Sequence, residues 1–261
     1  DDRAFTFWVR PQYQNPVGNN ILILSIVDKG GNVQLNTGAL PTFGNAISAG
    51  DWISIKGTQS YNGLSKVIEV IGNSIVIDEP YIDDILATGS PNFNKEASNN
   101  FMIYENGLLP PEQSVSFTYT SNWFIMKIND IYYKWKITQP FIKGEWYALV
   151  INLNTTARQL GLFVYNTLQT SGAVNPELTS SLNLIFNETK SYDPVDVVNN
   201  NMWKLLGCQT DLTNIRIWKK PIEEELQSLV LSQYVVKDTH LALLLDNASP
   251  QLMLQDVTDA R

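Results

Sequence analysis

The chain has 261 residues, 44% of them hydrophobic, which supports a large folded core and excludes a disordered chain. Its 18 Lys and Arg against 26 Asp and Glu leave a net charge of −8, and there is no long basic run, so a nucleic-acid surface is not expected. The single cysteine, Cys208, excludes an intrachain disulfide and a cysteine metal cluster, and no apolar run reaches the ~18 residues of a membrane-spanning helix.

Cys208 is expected as a buried thiol and the only histidine, His240, as a structural or surface residue. The first residue is aspartate and no signal peptide is visible, so a processed or excised piece of something longer is expected. Strand signals begin at once. Phe5-Thr6-Phe7-Trp8-Val9 is aromatic and β-branched, and Ile21 to Val27 is a near-continuous apolar run closed by Asp28-Lys29-Gly30-Gly31. Between 44 and 84 the texture changes. A Gly50-Asp51 turn precedes Trp52-Ile53-Ser54-Ile55, and Tyr61-Asn62-Gly63 makes a second turn. Val67 to Ile71, Gly72-Asn73 and Ile75 to Ile77 then form a tight hairpin. Several short strands in so little chain predict a small β-barrel, inserted at 44–84 into a larger sheet system.

Residues 122–137 read NWFIMKINDIYYKWKI, with Asn129-Asp130 as the expected two-residue turn. Pairing outward sets Ile128 opposite Ile131, Met126 opposite Tyr133 and Phe124 opposite Trp135, an apolar face that predicts core. The other face pairs Lys127 with Tyr132, Ile125 with Lys134, and Trp123 with Lys136, which could lie over the indole. That face is either a solvated sheet surface or a surface for a partner or a sugar. On the second reading Trp123, Ile125, Tyr132 and Lys136 are the contact residues, and the lysines Lys127, Lys134 and Lys136 keep the face soluble.

Trp146 to Leu153 and Leu160 to Tyr165 predict two more strands around the polar turn 154–159, while 166–181 and 187–201 read as loops. Ile215 and Ile217 share one strand face, with Arg216 on the other. Pro221 then opens a short helix over 221–231, with Glu223, Glu224 and Glu225 in its first turn and an apolar stripe of Ile222, Leu226, Leu229 and Val230. Trp8, Trp135, Trp146 and Trp218 all lie on apolar strand faces and are expected to be buried.

Three distant pieces carry a family resemblance. Phe5-Thr6-Phe7-Trp8-Val9-Arg10-Pro11 resembles the opening strand of a laminin-G/pentraxin-type domain of the concanavalin A-like superfamily. Gly144 to Val150 followed by Thr156 to Tyr165 is similar to its central hairpin, and Asp211 to Trp218 with Pro221 to Glu225 to its terminal strand and short helix. The resemblance implies an all-β fold: an antiparallel two-sheet jelly-roll sandwich over 1–43 and 85–235, with the barrel at 44–84 inserted and 236–261 as a C-terminal extension or the start of a following region. The barrel itself resembles small SH3-like barrels of phage structural proteins, in Gly50-Asp51-Trp52-Ile53-Ser54-Ile55-Lys56-Gly57-Thr58 followed by Tyr61-Asn62-Gly63.

Superfamily fold does not fix function. Its glucanases place alternate carboxylates on one strand as Glu-x-Asp-x-(x)-Glu, which this chain lacks, and the contiguous Glu223 to Glu225 cannot substitute, so no enzyme is expected. Its sugar-binding members use calcium held by Asp and Asn oxygens; no such set can be assigned here, and no cofactor is expected. With the inserted barrel and the strand-like tail 231–248, the chain resembles sandwich domains of tailed-phage fibre, tail and capsid-surface proteins. That resemblance implies a non-catalytic virion module whose partners are other virion proteins or a host-surface glycan, in a homo- or hetero-oligomer, without membrane insertion. The alternative is a carbohydrate-binding module of a secreted bacterial protein.

Overall fold

The computed structural model describes residues 2–12, 19–42, 46–83, 89–96, 99–106, 115–120, 122–128, 131–167, 182–192, 201–205, 210–232, 241–246 and 253–256. Cys208, His240 and the Asn129-Asp130 turn lie outside them, as do most residues of the two expected loops. In chain order the elements are β1 (Arg3–Pro11), β2 (Ile21–Lys29), β3 (Asn32–Thr37), β4 (Trp52–Lys56), β5 (Gly63–Ile71), β6 (Ser74–Pro80) and β7 (Asn92–Glu96). There follow β8 (Asn99–Asn106), β9 (Val115–Tyr119), β10 (Trp123–Ile128), β11 (Ile131–Lys136), β12 (Tyr147–Asn154), β13 (Gln159–Thr167), β14 (Leu182–Ser191), β15 (Asn201–Leu205) and β16 (Thr210–Trp218). Helix α1 (Glu224–Ser232), β17 (Leu241–Asp246) and β18 (Met253–Asp256) complete the order. The chain is nearly all-β, with antiparallel sheets, and divides into two compact units, Asn15–Ser98 and Asp1–Gln14 with Asn99–Arg261.

The larger unit holds a seven-stranded sheet in the order β14-β13-β12-β1-β16-β17-β18 and a five-stranded sheet in the order β11-β10-β9-β8-β15. The three sequence segments that carry the family resemblance therefore lie side by side, as β13, β12, β1 and β16. Strand alternation divides β1 between two hydrophobic clusters. Phe5, Phe7 and Val9 join Leu149, Ile151, Leu162, Ile215 and Ile217 of their own sheet and Phe117, Phe124, Met126 and Trp135 of the other in one core. The Phe5 and Phe117 rings meet edge to face at 5.5 Å across it, so the two sheets pack face to face. Trp8 and Ala4 point the other way, into a second cluster with Trp146, Trp218, Ile222 and Leu231, where α1 covers the back of the seven-stranded sheet. The four expected tryptophans are all buried: Trp135 between the sheets, the other three under the helix.

The strand-to-helix passage is built as the alternation at 215–217 requires. Ile215 and Ile217 enter the inter-sheet core, and Arg216 is buried on the helix side, where its Nη1 donates to the Val230 carbonyl at 2.6 Å. A cation beside the last turn suits the negative end of α1. The helix differs from expectation in two ways. It starts at Glu224 rather than Pro221, because the Asn152 side-chain amide holds both backbone groups of Ile222 in a non-helical turn, donating to its carbonyl at 2.8 Å and accepting from its N–H at 2.9 Å. Leu226 is 47% exposed, whereas Gln227 is 0% exposed. The polar residue takes the inner position because its amide is satisfied there: Tyr165 donates to its Oε1 at 2.7 Å, and its Nε2 donates to the Ile222 carbonyl at 3.2 Å. Burial, with the Glu224 charge second, pushes the Tyr165 hydroxyl up to about 12.

Three boundaries are corrected. Within the expected extension 236–261, the described strands belong to the seven-stranded sheet: β17 pairs with β16 (Ile215↔Leu245, Ile217↔Leu243) and β18 with β17. The loop expected at 187–201 is strand as far as Ser191 and again from Asn201. β14 is an edge strand with one face largely exposed, so it tolerates Asn183, Asn187 and Thr189. The barrel is larger than 44–84. It closes as β2-β3-β6-β5-β4-β7, so β2, β3 and β7 leave the expected sandwich and join it. Its core combines Ile23, Val33 and Leu35 with Ile53, Ile55, Val67, Ile75, Ile77 and Phe93. The Gly30-Gly31 turn, at φ +64° and +91°, ties β2 to β3 as a hairpin. β7 pairs with β4 on one side and β2 on the other, which closes the ring.

One backbone position in β16 explains a residue choice. The β1–β16 register shifts between Thr6↔Arg216 and Trp8↔Thr213, and within that bulge Asn214 is buried at φ +54°. Asparagine tolerates this region and a β-branched residue does not. Asn214→Gly should change stability by less than about 1 kcal/mol, whereas Asn214→Val should lose about 1–3 kcal/mol. Chemical denaturation of both variants checks this; equal losses would show that the side chain, not the backbone, is what matters there.

Candidate functional site

The β10–β11 hairpin has the register expected from its alternation: Trp123↔Lys136, Phe124↔Trp135, Ile125↔Lys134, Met126↔Tyr133, Lys127↔Tyr132 and Ile128↔Ile131. Its base is pinned by backbone bonds, Ile137 N–H to the Asn122 carbonyl and Thr120 N–H to the Trp123 carbonyl, both 2.8 Å. The Trp123 N–H in turn donates to Thr120 Oγ1 at 3.1 Å. The inner face is core, as expected, at Phe124, Met126, Ile128, Tyr133 and Trp135. Ile131 departs from this and is exposed at the start of β11.

The outer face is a platform of three strands, because β10 lies between β11 and β9. One row holds Ser116, Lys127 and Tyr132; the next holds Thr118, Ile125 and Lys134; Trp123 and Lys136 form the last. Trp123, Lys127, Tyr132 and Lys134 are half-buried, and Lys136 is exposed. Ile125, expected as a contact residue, is only 1% exposed. It is corrected to a structural role: in a central strand, flanked on its own face by Thr118 and Lys134, its side chain is enclosed by neighbours. The cation–π contact on this face joins the directly opposed Lys127 and Tyr132, with Nζ 5.7 Å from the ring centroid.

A second cation over an aromatic ring lies at the end of β1, where the Arg10 guanidinium sits 4.8 Å from the Trp146 ring centre. Its Nε donates to Asp211 at 2.8 Å, so this charge is neutralised within the fold. Among the described residues no group of three or more His, Cys, Asp or Glu could hold a metal ion, and no helix is long and apolar enough to cross a membrane.

The barrel adds a feature that sequence reasoning missed. A groove of about 390 Å³ is lined by Asn20, Ile21, Leu22, Leu24, Gly38 and Leu40 among others, with Leu22 and Leu24 exposed. Ile21 to Val27 reads as a near-continuous apolar strand, and such a run does not tell its inward from its outward residues. No protein-family model matches the chain, and no curated protein matches it.

Proposed function

We propose that the chain is a non-catalytic binding and assembly module of a tailed-phage particle, on a concanavalin A-like jelly roll, acting through contacts with neighbouring virion proteins or a host receptor. The reading of the fold draws support from the adjacency of β13, β12, β1 and β16, the segments that resemble the superfamily's central hairpin, opening strand and closing strand. The reading of the function rests on one observation. The outer face of β10 and β11 presents Trp123 and Tyr132 partly open to solvent, interleaved with three lysines, on a hairpin pinned by its backbone bonds. Partly exposed aromatics on a rigid sheet face are the residue type that anchors interfaces. The lysines keep such a face soluble before it is covered.

The variant W123S/Y132S tests this. Its unfolding transition should stay within a few degrees of wild type, because neither ring contributes to the inter-sheet core. Incorporation into particles or adsorption of particles to host cells should fall by about tenfold or more, the loss expected on removing two aromatic anchors. Normal incorporation together with normal adsorption would eliminate this face, and the barrel groove at Leu22 and Leu24 would become the candidate surface. Antibody raised against the chain should also label purified particles; consistent absence of label would overturn the virion assignment.

A further inference from the structure

We propose that β14 pairs with β14 of a second copy of this chain, antiparallel about a two-fold axis at Thr189, so that the seven-stranded sheets of the two copies join into one. β14 ends its sheet, and its residues Asn187, Thr189 and Ser191 are exposed. The β13–β14 register sets Gln159 opposite Ser191, and one step further the Tyr192 N–H donates to the Arg158 carbonyl at 2.9 Å. Along an antiparallel ladder, directly opposed residues that share such a bond alternate with pairs that share none. The backbone groups of Glu188, Lys190 and Tyr192 therefore point to β13, and those of Asn187, Thr189 and Ser191 point away from the sheet. Among the described residues nothing bonds to them there. The stretch 186–191 holds no proline, and the bulge of β14 lies before Phe186, so this part of the edge is regular and open.

The sequence selects the occupant. With the axis at Thr189, Thr189 meets its own copy, Asn187 meets Ser191, and Glu188 meets Lys190. The outward residues are symmetric about that axis, so each N–H finds a carbonyl of the other copy, about six backbone hydrogen bonds in all. Glu188 and Lys190 fall at the closely spaced pairs between them, with opposed Cβ atoms about 4.5–5.5 Å apart. Within one copy Lys190 Nζ lies 2.6 Å from Glu188 Oε1, and both side chains are partly open to solvent. The same ammonium stands 5.9 Å from the Trp135 ring centre, which holds it on the inter-sheet side of the edge. Pairing brings a second carboxylate to each ammonium, so four charges of alternating sign surround the axis. Charges on the inward side of an edge strand oppose pairing with strands of unrelated sequence. Read antiparallel, β14 is the complement of its own charges, and this separates a second copy from other strands. A ladder this short buries less than the roughly 1,200–2,000 Å² of a standard interface, so the dimer should dissociate on dilution.

Sedimentation velocity of the full chain over a concentration series tests this. The wild type should pass from monomer to dimer between about 10 μM and 1 mM, and amide exchange across 187–191 should slow as the dimer forms. E188K and K190E each set like charges opposite one another and should weaken dimerisation about tenfold or more. E188K/K190E, which exchanges the two charges, should restore it. A mixture of the two single variants should form a heterodimer, because an edge with two lysines then meets an edge with two glutamates. T189P removes an edge N–H that β13 does not use, so it should keep the fold and lose the dimer. If T189P does not fold, the charge series decides alone. A wild type that stays monomeric throughout overturns the proposal, as does a dimer that E188K and K190E leave unchanged. Failure of the mixed variants to associate overturns it too. Open-ended polymers would assign β14 to a head-to-tail contact with β18, the other end of the sheet, and overturn the two-fold pairing. None of these residues lies on the outer face of β10 and β11, so no outcome bears on the reading of that face.

Discussion

Trp8→Ala should destabilise the unit that holds the two sheets by about 3–5 kcal/mol, the range for removing a large buried aromatic side chain. Trp8 is 1% exposed on β1, the middle strand of seven, with β12 on one side and β16 on the other. Its ring fills the layer between the sheet and α1, against Trp146, Trp218, Ile222 and Leu231. The opposite face of β1 is equally filled by Phe5, Phe7 and Val9, so the strand cannot shift to close a hole without opening one behind it. Most of the cavity should therefore persist. A second variant separates volume from polarity. Trp8 Nε1 is buried with no hydrogen-bond partner among the described residues. Trp8→Phe removes that orphan donor together with part of the ring, and the two effects oppose each other, so its cost should stay below about 1.5 kcal/mol. Guanidinium denaturation measures both, provided the slope is unchanged. Equal losses in the two variants would show that the helix-side layer collapses around either residue and that β1 is not the rigid centre of the sheet.

The legible parts of the fold are those where alternation has two unlike faces. The β10–β11 register followed from the contrast between Phe124, Met126, Tyr133 and Trp135 on one face and the lysines on the other, since a slip of one residue would mix them. The split of Ile215 and Ile217 from Arg216 was legible for the same reason. What alternation does not encode is the identity of the neighbouring strand. ILILSIV reads as strand in any sheet, so its place in the barrel emerges only with β7, whose sequence NFNKE carries one large apolar residue, Phe93, and little strand signal. Ile125 shows the same limit at the site. Its periodicity places it outward correctly, yet its burial depends on Thr118 and Lys134 on strands either side. At α1 the apolar stripe pointed to Leu226, but hydrogen bonds from Tyr165 and to the Ile222 carbonyl draw Gln227 inside instead. A hydrophobic pattern counts apolar positions and is blind to a buried amide with a partner on a distant strand.

Excision of the barrel is where the corrected boundary makes the largest difference. Joining residue 14 to residue 99 by a flexible Gly-Ser linker should leave a cooperatively folding two-sheet unit, because that cut removes all six barrel strands and none of the others. Removing only 44–84 should fail. It takes out β4, β5 and β6 and leaves β3-β2-β7 as an open three-stranded remnant: β3 loses its pairing to β6, and β7 its pairing to β4. Ile23, Val33, Leu35 and Phe93, all buried in the barrel core, would then face water across the missing half of the ring. At about 1.5–3 kcal/mol for each such side chain exposed, the remnant cannot fold, and its open edges are templates for aggregation. Differential scanning calorimetry and size-exclusion chromatography distinguish the two deletions. The longer deletion should give a monodisperse protein with one sharp transition. The shorter should give soluble aggregate, or a sandwich transition accompanied by dye-binding apolar surface. A longer deletion with no cooperative transition would show that the two-sheet unit depends on the barrel for its fold. A well-behaved product from the shorter deletion would show that β2, β3 and β7 are held by something other than the barrel ring.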